Sequence, residues 1–196
     1  MDLEIELDKL LKIKTSGRDD SKSNYINFPY EPTPYCVLQK LSNSGYIAKN
    51  DKIVDFGCGK GRVDFYLAYS NKAKMIGVEY DIRMYNKAIE NHSKAISSSR
   101  VEFVNCNAME YDFPDDAVGA YFFNPFADKI LKEVIKKIRI SKERANREIK
   151  LFFYYPSKEY LSFLKENEDI CFIDNINCMD LFRHVDKKEY IAIYKI

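Results

Sequence analysis

The sequence predicts an α/β fold: a mostly parallel sheet with helices on both faces. Three observations predict it. From residue 52 onward, short apolar runs of strand length alternate with amphipathic stretches of helix length. A glycine-rich turn, Gly57-Cys58-Gly59-Lys60-Gly61, joins the first apolar run to the helix after it. The last two apolar runs have no helical pattern between them, so they are expected to pair antiparallel. Ligands in such sheets bind beyond the carboxyl ends of the strands, where strand order reverses. Motifs are therefore weighed by whether they fall at those ends.

The elements follow in order. Residues 1–30 read as an N-terminal arm with a short amphipathic helical start (Leu3, Ile5, Leu7, Leu10, Leu11). Thr15 to Asn27 is rich in Gly, Ser, Asp and Asn and reads as a loop or mobile arm. Residues 31–196 read as one domain. Glu31-Pro32-Thr33-Pro34-Tyr35 opens a helix carrying Val37, Leu38, Leu41 and Ile47, with Thr33 as N-cap and Pro34 at the first helical position. Lys52 to Phe56 is a strand, and Gly61 to Ala68 begins a helix. Lys74 to Glu79 is the second strand. Asp81 to Ile96 is a helix with Met84, Ala88, Ile89, His92, Ala95 and Ile96 on one side. Val101 to Cys106 is the third strand. Val118 to Phe123, apolar on both faces, is a central fourth. Asp128 to Ile140 places Ile130, Leu131, Val134, Ile135 and Ile138 in one apolar stripe. A strand at Glu148 to Tyr155, a helix at Ser157 to Glu166, and strands near Asp169 to Ile176 and Glu189 to Ile196 complete the chain.

Composition bounds the function classes. With 196 residues, 46% hydrophobic and 31% charged, the chain supports one sizeable core. Its 31 basic and 30 acidic residues nearly cancel, so attraction to nucleic acid or membrane must come from a local patch. No apolar run approaches the roughly 18 residues of a membrane span. The acidic start, Met1 to Asp8, lacks the features of a signal peptide, and a cytoplasmic location is expected. Five scattered cysteines form no C-x-x-C pair, which argues against zinc and for free thiols. His92 and His184 read as flanking or structural residues, and no metal is expected.

The chemistry concentrates in Val54-Asp55-Phe56-Gly57-Cys58-Gly59-Lys60-Gly61, which follows a strand and opens a helix. Glycines there allow positive backbone angles and close ligand approach. The spacing is G-x-G-x-G, neither the dinucleotide G-x-G-x-x-G nor the phosphate loop G-x-x-x-x-G-K-[ST]. Asp55 would repel phosphate and suits a ligand with a cationic amino group. Glu79, closing the second strand, lies about twenty residues past the glycine loop, where an acid can accept both ribose hydroxyls.

The run D-x-G-x-G-x-G after a first strand resembles motif I of the class I S-adenosylmethionine-dependent methyltransferases, and Glu79 is similar to that family's acidic motif. The resemblance runs from about residue 30 to the end. It implies a three-layer sandwich whose seven-stranded sheet is mostly parallel, with an antiparallel last strand. It also implies S-adenosylmethionine as cofactor. Asp55, Gly57, Cys58, Gly59 and Gly61 would hold its methionine end, and Glu79 its ribose. Tyr80, Asn107 and Ala108 would hold the adenine, with Asn107 standing where the family usually has aspartate. Thr33 resembles an N-terminal motif lying over the cofactor's methionine end. Phe123-Asn124-Pro125-Phe126 resembles the (D/N)-P-P-(Y/F) motif of methyltransferases acting on planar or amide nitrogens, one proline short. It resembles the short N-P-F form of small bacterial members. The likeness assigns Asn124, Pro125 and Phe126 to catalysis, with Asn124 also near the cofactor, and implies in-line transfer to a nitrogen.

Simpler roles stand beside these: a capping threonine at Thr33, a turn asparagine at Asn107, and a strand-ending Asn-Pro turn with Phe126 in the core. The methyl acceptor is left open among nucleic acid, protein and small molecules. Lys129 to Lys150, with Lys132, Lys136, Lys137, Arg139, Lys142, Arg144 and Arg147, is a candidate RNA or DNA contact or a solvated helix face. A non-catalytic S-adenosylmethionine-binding protein is one alternative. A nicotinamide-dependent oxidoreductase is another, disfavoured by the glycine spacing.

Overall fold

The computed structural model describes residues 2–21, 30–184 and 186–196. The part of the expected arm from residue 22 to Asn27 lies outside them. The strands are β1 (Lys52–Phe56), β2 (Lys74–Glu79), β3 (Val101–Asn105), β4 (Gly119–Phe122), β5 (Lys150–Tyr154), β6 (Cys171–Asn177) and β7 (Tyr190–Lys195). They form one seven-stranded sheet in the order β3-β2-β1-β4-β5-β7-β6. β1 to β5 run parallel, while β7 lies antiparallel between β5 and β6. The predicted α/β class, the central β4 and the antiparallel final pair all hold. Strand order reverses between β1 and β4, so their carboxyl ends flank the crevice where such sheets bind ligands.

The helices are α1 (Leu3–Leu11), α2 (Tyr35–Asn43), α3 (Arg62–Ser70), α4 (Ile82–His92), α5 (Asp128–Arg144) and α6 (Lys158–Glu166). Strand alternation divides the core in two. Val54, Phe56, Phe122, Leu151 and Phe153 pack under α5 and α6. Ile53, Tyr121, Phe152 and Ile193 pack under α1, α2 and α3. Asp55 shares the second face, in register with Tyr121 and Gly77. Among the described residues, no helix is long and apolar enough to cross a membrane.

The N-terminal segment is tied to the first turn of α3. Leu11 and Ile13 are buried in the second core. Arg62, itself buried, pairs with Glu4, donates to Thr15 Oγ1 at 2.7 Å and to the Thr33 carbonyl at 3.3 Å, and lies over the Tyr35 ring at 4.3 Å. Asp8 accepts from the Thr15 amide at 2.7 Å, the Thr15 hydroxyl at 2.6 Å and the Tyr35 hydroxyl at 2.6 Å.

Two local expectations are corrected. Thr33 does not cap α2: Pro34 occupies the cap position, and the Tyr35 amide donates to Glu4 Oε1 at 2.9 Å. A carboxylate delivered from α1 satisfies that amide, which leaves the Thr33 hydroxyl to share a hydrogen bond with the Tyr121 hydroxyl at 3.1 Å. α4 ends at His92, and Ile89 and Ile96 face solvent at 42% and 46% exposure. The inward position goes to Asn91, whose amide group bonds the Lys14 and Lys60 carbonyls at 3.2 and 3.0 Å. Backbone groups brought in by the N-terminal segment need a polar partner there.

Removing one partner of a buried ion pair leaves the other charge uncompensated. Arg62→Met is therefore expected to cost about 3–5 kcal/mol of unfolding free energy. Urea denaturation measures it, and a loss comparable to that of an exposed Arg18→Met would show that the network contributes little.

Candidate active site

The glycine turn leaves β1 with positive φ at Gly57 (79°), Gly59 (57°) and Gly61 (84°). The first two also permit close approach. A Cβ on Gly57 would lie 2.4 Å from Pro125 Cβ, and one on Gly59 2.2 Å from the Tyr30 ring. The turn is held by the neighbouring strand: Gly57 and Cys58 amides donate to the Val78 carbonyl at 2.8 and 3.2 Å. Glu79 Oε2 accepts from the Gly59 amide at 2.8 Å, and Oε1 from the Asp81 amide at 2.8 Å. Burial pushes the Glu79 carboxyl up, and those amides oppose the shift.

A cleft of 260 Å³ opens at the carboxyl ends of β1, β2 and β4. Its wall brings together Thr33, Asp55, Gly57, Cys58, Glu79, Tyr80, Asn107, Ala108, Pro125 and Phe126. Gly59, Gly61 and Asn124 lie off that wall. Tyr30 covers Gly59, its hydroxyl donating to the Thr15 carbonyl at 2.5 Å and its ring lying 4.5 Å from Lys60 Nζ. Gly61 sits beneath the Phe103 ring and forms the N-cap of α3.

Asp55 is 3% exposed and faces Asp64 of α3, which is fully buried. Asp55 Oδ2 and both Asp64 carboxylate oxygens have no donor in reach. Burial raises both carboxyls, Asp55 to about 8, and each carboxylate's charge opposes ionisation of the other groups nearby. Burial and the charges of Asp64, Glu79 and Asp55 push the Cys58 thiol up as well.

On the β2 and β3 side, Tyr80 is 62% exposed and offers its ring to the cleft. Asn107 Oδ1 accepts from the Met109 amide at 3.0 Å, a turn-forming bond that leaves the oxygen one lone pair. On the β4 side, Asn124 adopts φ 43°, and its Oδ1 is buried without a donor. Phe126, which the resemblance assigns to catalysis, packs mostly into the core. It is 4% exposed, edge-on to Phe122, and its carbonyl accepts from the Tyr160 hydroxyl at 2.6 Å. With one proline fewer, the chain turns Phe126 into the core. Phe123, whose ring centroid is 4.6 Å from that of Tyr154, is the aromatic residue at that rim.

Sequence reasoning missed Tyr30, Asp64, Arg62 and Tyr121. The available signal was Arg62-Val63-Asp64, two charges in the first turn of an otherwise apolar helix. Part of the basic run is paired. Lys132, Lys136, Lys137, Arg139 and Arg144 pair with Asp128, Glu133, Asp112, Asp169 and Asp115. Arg147 bonds the Ala117 and Pro114 carbonyls, at the end of β4 opposite the cleft.

The comparisons agree with this geometry. Residues 53–141 match the family described as Methyltransferase domain. A protein-lysine N-methyltransferase of Saccharolobus islandicus is 29% identical over 110 residues, 56% of this chain and 68% of that protein. Phosphoethanolamine N-methyltransferase 1 of Triticum aestivum is 35% identical over 102 residues, 43% of this chain but only 20% of the relative. An RNA methyltransferase from Salinibacter ruber, solved with S-adenosylhomocysteine, shares the fold: TM-score 0.55, 19% identity, covering 84% of this chain and 92% of that one.

Fold and domain match define a class I methyltransferase architecture. The domain match, the relatives and the shared fold support an S-adenosylmethionine-dependent methyltransferase. The cleft suits that cofactor: its wall holds the Asp55 carboxylate for an ammonium, the Glu79 carboxylate for ribose, and Gly57, which has no side chain to block approach.

Gly57→Ala and Gly45→Ala carry similar strain, at φ 79° and 82°, but nothing lies within 4 Å of a Cβ at Gly45. Each is expected to cost about 1–3 kcal/mol of stability. Only Gly57→Ala should also depress turnover, by displacing Pro125. Equal turnover in the two variants would show that the contact does not govern the site.

Proposed function

We propose that the methyl acceptor is a nitrogen, held at Asn124-Pro125 in line with the cofactor methyl. The observation that carries the reading is Asn124 itself. It ends the central strand in a left-handed conformation, with a buried side-chain oxygen that lacks a donor. Holding such a conformation costs about 1–3 kcal/mol in a non-glycine residue, and strain of this kind clusters at functional sites. An amine N–H satisfies that oxygen and turns the nitrogen lone pair toward the methyl. Similarity to a protein-lysine and a phosphoethanolamine N-methyltransferase supports a nitrogen acceptor.

The remaining residues divide the cofactor among them. Asp55 accepts the ammonium of the methionine end, with Gly57, Cys58, Gly59 and Gly61 keeping the backbone close. Thr33, through its hydroxyl bond to Tyr121, bounds the same end. Glu79 retains lone pairs beyond its two amide bonds and accepts the ribose hydroxyls. Tyr80 and Ala108 flank the adenine, and the free lone pair of Asn107 Oδ1 accepts from its amino group. Bound S-adenosylmethionine supplies a methyl group activated on a sulfonium. Pro125 stiffens the acceptor loop against Gly57, and Phe123 with Tyr154 walls the acceptor side.

Asp55→Ala and Glu79→Ala are expected to weaken S-adenosylhomocysteine binding by roughly tenfold or more, about 1.4 kcal/mol each. Asn124→Ala should leave that affinity within about twofold and lower turnover roughly 100-fold, as loss of an oriented hydrogen-bonding group does. Calorimetric titration and transfer of radiolabelled methyl to fractionated cell extract measure both. Equal loss of cofactor affinity in all three variants, or label released by mild base as an ester, would overturn the nitrogen assignment.

A further inference from the structure

The buried carboxyl of Asp64 has no part in the scheme above, although burying it is costly. It lies on the first turn of α3, three residues past the Gly61 cap, and meets Asp55 because residue 55 of β1 points to the α3 side of the sheet. Three carboxylate oxygens in this pair lack a donor, and Asp55 is on the cleft wall. Among the described residues, the groups facing the pair add no positive charge. They are Glu79 at the end of β2, the Cys58 thiol in the glycine turn and the Tyr121 hydroxyl on β4. The nearby guanidinium of Arg62 is held by Glu4, Thr15, Asp8 and the Thr33 carbonyl.

Resting on the reading of Asp55 as the ammonium acceptor, we propose that Asp55 and Asp64 work as one unit. In the free protein they hold a single shared proton, and they release it to solvent when a cationic amino group seats on Asp55. Asp64 is thus a positioning residue for cofactor binding. The charges balance: a pair bearing one proton and one negative charge, plus an ammonium, becomes two carboxylates, the ammonium and a free proton. Two features favour release. The ammonium donates to the Asp55 carboxylate on the cleft wall, which holds it ionised. The amino end of α3 favours the ionised form of Asp64, the third residue of that helix. While the proton remains, it ties Asp55 to Asp64.

The sign of the linkage follows. Both carboxyls are raised in the free protein, and a neighbouring cation lowers them. Ligand affinity therefore rises as pH climbs through the free protein's titration.

The test uses calorimetric titration of the full chain between pH 6 and 8. S-adenosylhomocysteine carries the ammonium, and 5′-methylthioadenosine keeps adenine and ribose but lacks it. The wild type should bind S-adenosylhomocysteine about tenfold more tightly at pH 8 than at pH 6. In phosphate and in Tris at pH 7, the difference in measured heat should report proton release. 5′-Methylthioadenosine should show neither effect, which separates the pair from Glu79. Asp64→Asn, which gives Asp55 a neutral donor, should bind S-adenosylhomocysteine with affinity constant to about twofold over the range. Retention of the full pH dependence in Asp64→Asn, or equal proton release with both ligands, would overturn the proposal. If Asp64→Asn does not fold, the two-ligand comparison in the wild type decides alone. Unchanged S-adenosylhomocysteine affinity in Asp55→Ala would instead sink the underlying reading of Asp55, an outcome distinct from the others.

Discussion

Three charged side chains, Asp55, Arg62 and Asp64, are buried around the first turn of α3, and the site depends on how each is compensated. Burying a charge without a partner costs several kcal/mol, so each one dictates what packs against it. Arg62 requires carboxylates and finds Glu4 and Asp8 on α1. That requirement docks the N-terminal segment across the glycine turn and sets Tyr30 over Gly59. Asp64 requires a proton donor and finds Asp55. The shape and the charge of one end of the cleft both follow from this turn.

The opposite side of the cleft is governed by sterics. Gly57 and Pro125 come closer than any side chain on residue 57 would permit. This contact joins the loop after β1 to the loop after β4, the strands between which the sheet order reverses. The two loops therefore share a boundary with no side chain from residue 57 between them. Transfer in line between two bound groups needs this kind of fixed spacing.

Electrostatics also limits which surfaces matter. Five cations of α5 pair with carboxylates on the same helix and on neighbouring segments, and exposed pairs of this kind contribute little stability. Among the described residues, the buried side-chain groups without partners are Asp55 on β1, Asp64 on α3 and Asn124 after β4. Unsatisfied buried groups are rare in folded proteins, and Asp55 lies on the cleft wall.

Much of this was legible in the chain itself. Alternating apolar runs set the α/β class, because the two-residue and 3.6-residue periods are local properties of sequence. The spacing of Asp55, the three glycines and Glu79 is likewise local, since one strand, one turn and the next strand place them. Asn124-Pro125 at the end of β4 was legible for the same reason. The tertiary structure alone decided what crosses between elements. It assigned the cap of α2 to Glu4, turned Asn91 inward in place of Ile89, and put Phe126 in the core. It also set Asp64 against Asp55. A carboxyl in the first turn of a helix looks like an ordinary favourable charge in sequence. Only the packing of α3 against the sheet removes it from water and makes its proton part of the site.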